Sequence, residues 1–299
     1  NFAYVLKRLS LPRTCVCLAM TDSIETAHTP GTWRLLYFDA PNRGEQVRQL
    51  FILSKTPFTD VRLAPYPQGL DPFKKAALGD ASPLLGTDMV PAVTAPDGTH
   101  CVETSDIMRF VGQRVGLAPA AGSAEDTTAM EMCLLAQEVM NEVFYGLLKQ
   151  MCVKKIAGFA ARLINGEESA YLKKPTTKLN ETLANIEAAL QASGGPCILG
   201  TKPCYADVSI FAILNEVLAY SCFNKSALLS AHPNLAALLD DIGGNMTAWI
   251  DFRVREYQLG IKSTVEYFAA TNTPIPWNKK KGASSNVAVH TDPARLGTQ

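Results

Sequence analysis

The sequence is missing most of the signs by which a function is read at a glance. Its eight cysteines, Cys15, Cys17, Cys101, Cys133, Cys152, Cys197, Cys204 and Cys222, include no C-x-x-C pair and are scattered through apolar segments. In a chain of 299 residues that pattern describes reduced, buried thiols and not a disulfide framework. The four histidines, His28, His100, His232 and His290, lie too far apart for metal-ligand spacing, so no metal site is expected. No apolar run reaches the ~18 residues that a membrane span requires. An excess of one charge is missing too: 28 basic residues balance 28 acidic ones, for a net charge of zero. No overall field then draws the chain to nucleic acid or to anionic lipid. No internal repeat is present. Three N-x-[ST] matches, at Asn180, Asn224 and Asn245, stand without any other mark of secretion.

What is present begins with two unlike ends. The chain opens on Asn1 and not Met, so a preceding piece is expected. Residues 1–21 carry Lys7, Arg8 and Arg13 and no acid. Such a leader resembles an organelle transit segment, with the mitochondrion as the first expectation and a chance extension as the other reading. Residues 271–299 are rich in Pro, Gly and Ser and aperiodic, which describes a tail and not a domain. Both ends offer apolar groups, Phe2, Tyr4, Val5, Leu6, Leu9 and Leu11 in one and Pro274, Ile275, Pro276 and Trp277 in the other. Ordering them would need a surface, and a neighbouring chain is the expected host.

Between the ends lies length enough for about two domains. Residues 33–38 (WRLLYF) form a short buried strand by composition. Val47, Leu50, Phe51 and Ser54 then fall at helical spacing. Residues 58–64 (FTDVRLA) alternate, with Phe58, Asp60 and Arg62 on one side and Thr59, Val61 and Leu63 on the other. This β-α-β unit calls for a right-handed crossover and parallel strands. After a Pro/Gly-rich connection from Pro65 to Asp88, two short strands flank Pro96-Asp97-Gly98, a hairpin signal. The next helix places Ile107, Phe110, Val111 and Val115 on one face and stops at Gly116. From there on everything reads as helix. Met132, Leu135, Ala136 and Val139 make one stripe; Leu179, Leu183, Ile186 and Leu190 make another. The segment from Asp207 is apolar nearly all round and should be buried, and helical patterns follow at 234–242 and 246–254.

The order is a thioredoxin-like α/β domain followed by an all-α bundle, and it resembles the cytosolic-type glutathione transferases, the sigma-like tyrosine class most of all. The resemblance covers roughly residues 31 to 260. Tyr37, Phe38, Arg43 and Glu45 stand at the family's spacing. Val90-Pro91 resembles its cis-proline. Glu103-Thr104 resembles the pair that holds the γ-glutamyl end of glutathione. "LGTKPCYADVSIF", with Gly200 and Asp207, resembles its helix-starting signature, and "HPNLAALLDDI" the segment after it. The resemblance implies a division into an extension at 1–30, a glutathione-binding domain at 31–117, a helical domain at 118–270 and a tail at 271–299.

It also implies a site. A thiol of pKa about 8.5 is mostly protonated at neutral pH, and a hydroxyl donating to its sulfur favours the thiolate. Tyr37 would be that donor, with Arg43 adding positive potential. Glutathione would be held by Met89, Val90 and Pro91 through backbone, by Glu103 and Thr104 at a helix start, and by Lys75 near the glycine carboxylate. Each residue has a plainer reading: Tyr37 as a core aromatic, Arg43, Lys75 and Glu103 as surface charges, Thr104 as an ordinary N-cap. Residues 38–46 contain no Cys or Ser, so Tyr37 is the candidate in that turn. Departures from the family pattern are Thr104 for serine, Cys204 at a capping position, Met89 for lysine, and a longer connection from 65 to 88. The electrophile subsite is expected on the 126–152 helix, at Met140, Phe144, Tyr145 and Leu148.

Three readings follow. The first is an enzyme that binds glutathione and adds its thiolate to an apolar electrophile or isomerises a lipid peroxide, as a homodimer. The second is the same fold kept as a structural subunit of a larger assembly, since fold does not decide function. The third is a binding or isomerase module that uses glutathione without conjugation.

Overall fold

The computed structural model describes residues 31–38, 41–63, 68–87, 89–144, 173–218, 224–245 and 288–291. The leader, the helix expected at 246–254, Tyr145 and Leu148, and most of the tail lie outside them.

The first half is built on β1 (Trp33–Phe38), α1 (Arg43–Leu53) and β2 (Phe58–Leu63). β1 and β2 pair in parallel from Trp33↔Phe58 to Phe38↔Leu63, as the crossover rule requires. Asn42 starts α1 by accepting from the Arg43 N–H at 2.7 Å. The long connection holds a 3-10 turn (Gln68–Phe73) and the short helix α2 (Lys75–Leu78). β3 (Ala92–Thr94) and β4 (His100–Val102) form the expected hairpin, whose turn is closed by Asp97 accepting from the Thr99 N–H at 2.9 Å. α3 (Thr104–Val115) ends at Gly116 with φ +79°, the left-handed position that glycine takes without steric cost.

The strands run in the order β4-β3-β1-β2 and continue to a fifth, β5 (Ala288–Thr291), antiparallel to β2. Four residues of the stretch 271–299 thus pair with the chain's own sheet. Without β5, β2 would be an edge with a row of unpaired N–H and C=O groups, and such an edge accepts another strand. Four residues are too short a run to announce themselves by alternation.

The second half is α4 (Ala124–Glu138), which runs on as a π-helical turn (Val139–Phe144), then α5 (Lys173–Ser193), α6 (Tyr205–Val217), α7 (Lys225–Ser230) and α8 (Pro233–Asn245). α6 is buried on nearly every side. Its start is fixed by Asp207, which accepts from the Cys204 and Ile198 N–H groups, both at 2.8 Å. Leu179, Leu183, Ile186 and Leu190 of α5 are buried as their spacing predicts. On α4 the stripe is rotated. Ala129, Cys133, Ala136 and Met140 face inward, while Met132 and Leu135 lie at its flank. Small side chains let α6 approach closely, and a reading by side-chain hydrophobicity prefers the larger residues beside them. No helix among the described residues is long and apolar enough to cross a membrane.

Candidate active site

The sheet register gathers the predicted site. Leu36 pairs with Ala92, and Ala92 with Val102. One step further along each strand, Tyr37, Pro91 and Glu103 therefore form a row at one end of the sheet. With strands spaced ~4.8 Å apart, the backbones of Tyr37 and Glu103 stand roughly 10 Å from each other. Both α1 and α3 begin at this end, so both direct the positive ends of their dipoles to it. The Val90-Pro91 peptide is cis, and Glu103 has φ +67° and ψ +125° immediately before Thr104 opens α3.

Tyr37 is buried at 6% exposure and packs in the main core. The backbone of Gly44, in the first turn of α1, lies flat against its ring, and a Cβ on Gly44 would collide with Cβ, Cγ and Cδ1 of Tyr37. Gly44→Ala is accordingly expected to lose about 1–3 kcal/mol through overpacking, read as a lower denaturant midpoint at unchanged slope. On the ring's other contact, the Arg48 guanidinium sits 5.7 Å from its centroid. Arg48 is fully buried. It donates through Nη2 to the Phe38 carbonyl at 3.0 Å and through Nε to Asp60 Oδ2 at 2.9 Å, with Glu45 at 3.6 Å. Arg62 donates to the same Oδ2 at 2.8 Å. Burial opposes ionisation of Asp60, yet the two guanidinium groups hold its carboxyl below the ordinary range. The sequence placed Asp60 and Arg62 on one side of β2 with Phe58; that side faces α1, where charge survives only as this paired cluster.

Arg43, the first residue of α1, donates through Nη2 to Asn141 Oδ1 at 2.7 Å, across 98 positions and into the helical half. Thr104 is 3% exposed, and its hydroxyl oxygen is buried without a hydrogen-bond partner among the described residues. The Glu103 side chain makes no capping bond to α3. Met89 stands 53% exposed two residues before the cis-proline. Lys75 opens α2 and is not on the row, while Lys74 pairs with Asp71 at 3.0 Å. Met140, expected in an electrophile subsite, is core instead: in the π turn it shares the inward face with Val139 and Val143. Burial pushes the Cys101 and Cys133 thiols up to about 11 and Cys197 to about 12, which leaves them protonated and unreactive at neutral pH.

Sequence pattern missed the polar joint between the halves. Gln46 on α1 accepts from Gln137 Nε2 on α4 at 2.6 Å and from Ser209 Oγ on α6 at 2.7 Å, all three buried. Arg109 of α3 and Asp126 of α4 form a second joint, a two-bond ion pair. Polar residues on the inward faces of α1, α4 and α6 were the available signal, but their partners lie 91 and 163 positions apart.

A family model described as the glutathione S-transferase C-terminal domain matches residues 156–251. The chain is 26% identical over 216 residues to glutathione S-transferase P 10 of Caenorhabditis elegans, a match spanning 69% of this chain and 90% of that protein. A solved glutathione S-transferase from Ascaris lumbricoides superposes with a TM-score of 0.56 at 22% identity, over 74% of this chain and 97% of that one. A glutathione transferase family member from Pseudomonas fluorescens pf-5, solved with two glutathione bound, gives 0.54 at 16% identity, over 73% and 91%. The chain thus shares the fold of solved glutathione S-transferases and is similar in sequence to the glutathione S-transferase C-terminal family model and to the nematode protein.

Proposed function

We propose that the chain is a glutathione transferase enzyme that binds glutathione at the row Tyr37–Pro91–Glu103 and lowers its thiol pKa for attack on an apolar electrophile. One observation carries the reading above the others: the buried, unpartnered hydroxyl of Thr104 at the open N-terminus of α3. A buried hydroxyl without a partner costs free energy, and free helix N–H groups beside it attract an anion. The γ-glutamyl carboxylate of glutathione would satisfy both at once. Glu103, held in the left-handed region just before it, would accept from the ligand's ammonium, the backbone beside cis-Pro91 would pair with its peptide, and Lys75 would lie toward its glycine carboxylate. At the other end of the row Tyr37 would donate to the sulfur, with Arg43 adding positive potential. The nematode relative carries the transferase name and the bacterial neighbour was solved with glutathione, which supports the same ligand here.

Titration calorimetry tests the reading. Thr104→Val keeps the side chain's approximate shape and removes one hydrogen bond to a charged group, so it should cost about 1.5–3 kcal/mol, a tenfold to hundredfold weaker Kd for glutathione. Absence of glutathione binding by the unmutated protein would overturn the enzyme reading and leave the fold as a structural scaffold.

A further inference from the structure

Resting on the function proposed above, in which Tyr37 donates to the thiol, we infer that Gly44 is a positioning residue whose missing side chain sets where the Tyr37 hydroxyl stands. Gly44 is buried in the first turn of α1. Conformational freedom is not what it supplies, since its φ is not positive. Helix propensity favours alanine over glycine by up to about 1 kcal/mol, so local structure argues against glycine here. The requirement comes from the neighbour. A Cβ on Gly44 would overlap Cγ and Cδ1 of Tyr37 and stand 2.9 Å from its Cβ. All three atoms belong to the root of that side chain.

The root of a rigid ring governs its tip. A group at position 44 would turn Tyr37 about its Cα–Cβ and Cβ–Cγ bonds, and the hydroxyl at the far end would travel furthest. The ring has little room to give. Tyr37 is buried in the main core, the Phe38 ring stands 5.7 Å away at 63°, and the Arg48 guanidinium lies 5.7 Å from the Tyr37 centroid. A hydrogen bond weakens steeply as donor and acceptor lose alignment, and a misplacement of ~1 Å can cost about a hundredfold in rate. Charged groups near the ring include Arg48 with its acids Asp60 and Glu45, and Arg43 and Glu45 flank Gly44 in the chain. A methyl group at position 44 adds no charge and removes no hydrogen-bonding group. Its effect on thiol acidity therefore passes through geometry.

The test is a double-mutant cycle on the full chain, with Gly44→Ala made in the unmutated background and in Tyr37→Phe. Glutathione Kd, the pH–rate profile for a generic electrophile and the denaturant midpoint are read for each protein. With Tyr37 present, Gly44→Ala should lower conjugation near neutral pH about tenfold and move the profile up in pH, with Kd nearly unchanged. In Tyr37→Phe the ring and the overlap remain and the hydroxyl is gone. There the alanine should lower the denaturant midpoint as much as before and add no further loss of rate. A displaced Arg43 or Glu45 would instead act with or without the hydroxyl. An unchanged profile with Tyr37 present, or an equal loss of rate in both backgrounds, would overturn the inference while the proposed function stands. If Gly44→Ala does not fold, proton NMR of the unmutated protein decides. A ring pinned by Gly44 gives separate signals for its two sides, and a single averaged signal would sink the inference. If the unmutated protein binds no glutathione, or Tyr37→Phe matches it at every pH, the proposed function falls and takes this inference with it.

Discussion

Asp60→Ala should destabilise the protein by about 3–5 kcal/mol, the cost of stranding buried charge when one partner of a pair is removed. Arg48 and Arg62 both donate to Asp60 Oδ2, and Arg48 is fully buried. Without the carboxylate, Arg48 keeps the Phe38 carbonyl and Glu45 at 3.6 Å among its partners, and the acceptor it shares with Arg62 is gone. Asp60→Asn should cost less, because one acceptor oxygen remains. Urea unfolding of the three proteins at neutral pH decides the matter. A loss below 1 kcal/mol for the alanine variant would mean that water or the rest of the chain compensates the guanidinium groups.

The same cluster gives the protein an acid limit. The Asp60 carboxyl titrates below its unfolded value of ~3.9 because Arg48 and Arg62 outweigh the burial that opposes its charge. A depressed folded pKa contributes stability that is fully present above the unfolded pKa and is lost as pH falls through the folded one. Stability should therefore be flat in this group's contribution at neutral pH and fall at about pH 4 and below. That portion of the acid dependence should disappear in Asp60→Ala.

Tyr37→Phe should keep glutathione binding and lose rate. Under the proposed function the hydroxyl donates to the thiolate, and a hydrogen bond to a charged group is worth about 1.5–3 kcal/mol. Conjugation of a generic electrophile near neutral pH should fall tenfold to a hundredfold, and the pH–rate profile should move up toward the free thiol's pKa. The ring stays in place, packed on Gly44 and under Arg48, so the fold should hold. A profile identical to the unmutated one would remove Tyr37 from the mechanism.

The fold was legible because most of its signals are local. Strand 33–38, the Asp97-Gly98 hairpin, the Gly116 stop and the α5 stripe each sit within a dozen residues, and each is where its pattern put it. Motif spacing likewise located Val90-Pro91 and the helix start at Thr104. What stayed hidden was whatever depends on distant partners. Arg43 looked like a cation for the thiol, and nothing in the sequence joined it to Asn141. Gln46 looked like one more polar residue on a helix. Ala288–Thr291 makes its hydrogen bonds to β2, more than 220 positions earlier, and has no pattern of its own. Side-chain volume misled in the remaining case, where α4 turns its small residues and not its large ones to the core.

The Gln46–Gln137–Ser209 joint has a consequence for how the chain comes into being. Synthesis proceeds from the N-terminus at about 5–20 residues per second, and Ser209 lies 163 positions after Gln46. Gln46 therefore leaves the ribosome roughly ten to thirty seconds before the residue that completes its bonding. Through that interval the sheet half presents a polar side chain on the face that α4 and α6 will cover, and it stays wet. Closing the face early against itself or another nascent chain would strand an amide in an apolar contact. The joint is therefore complete only once α6 has been made.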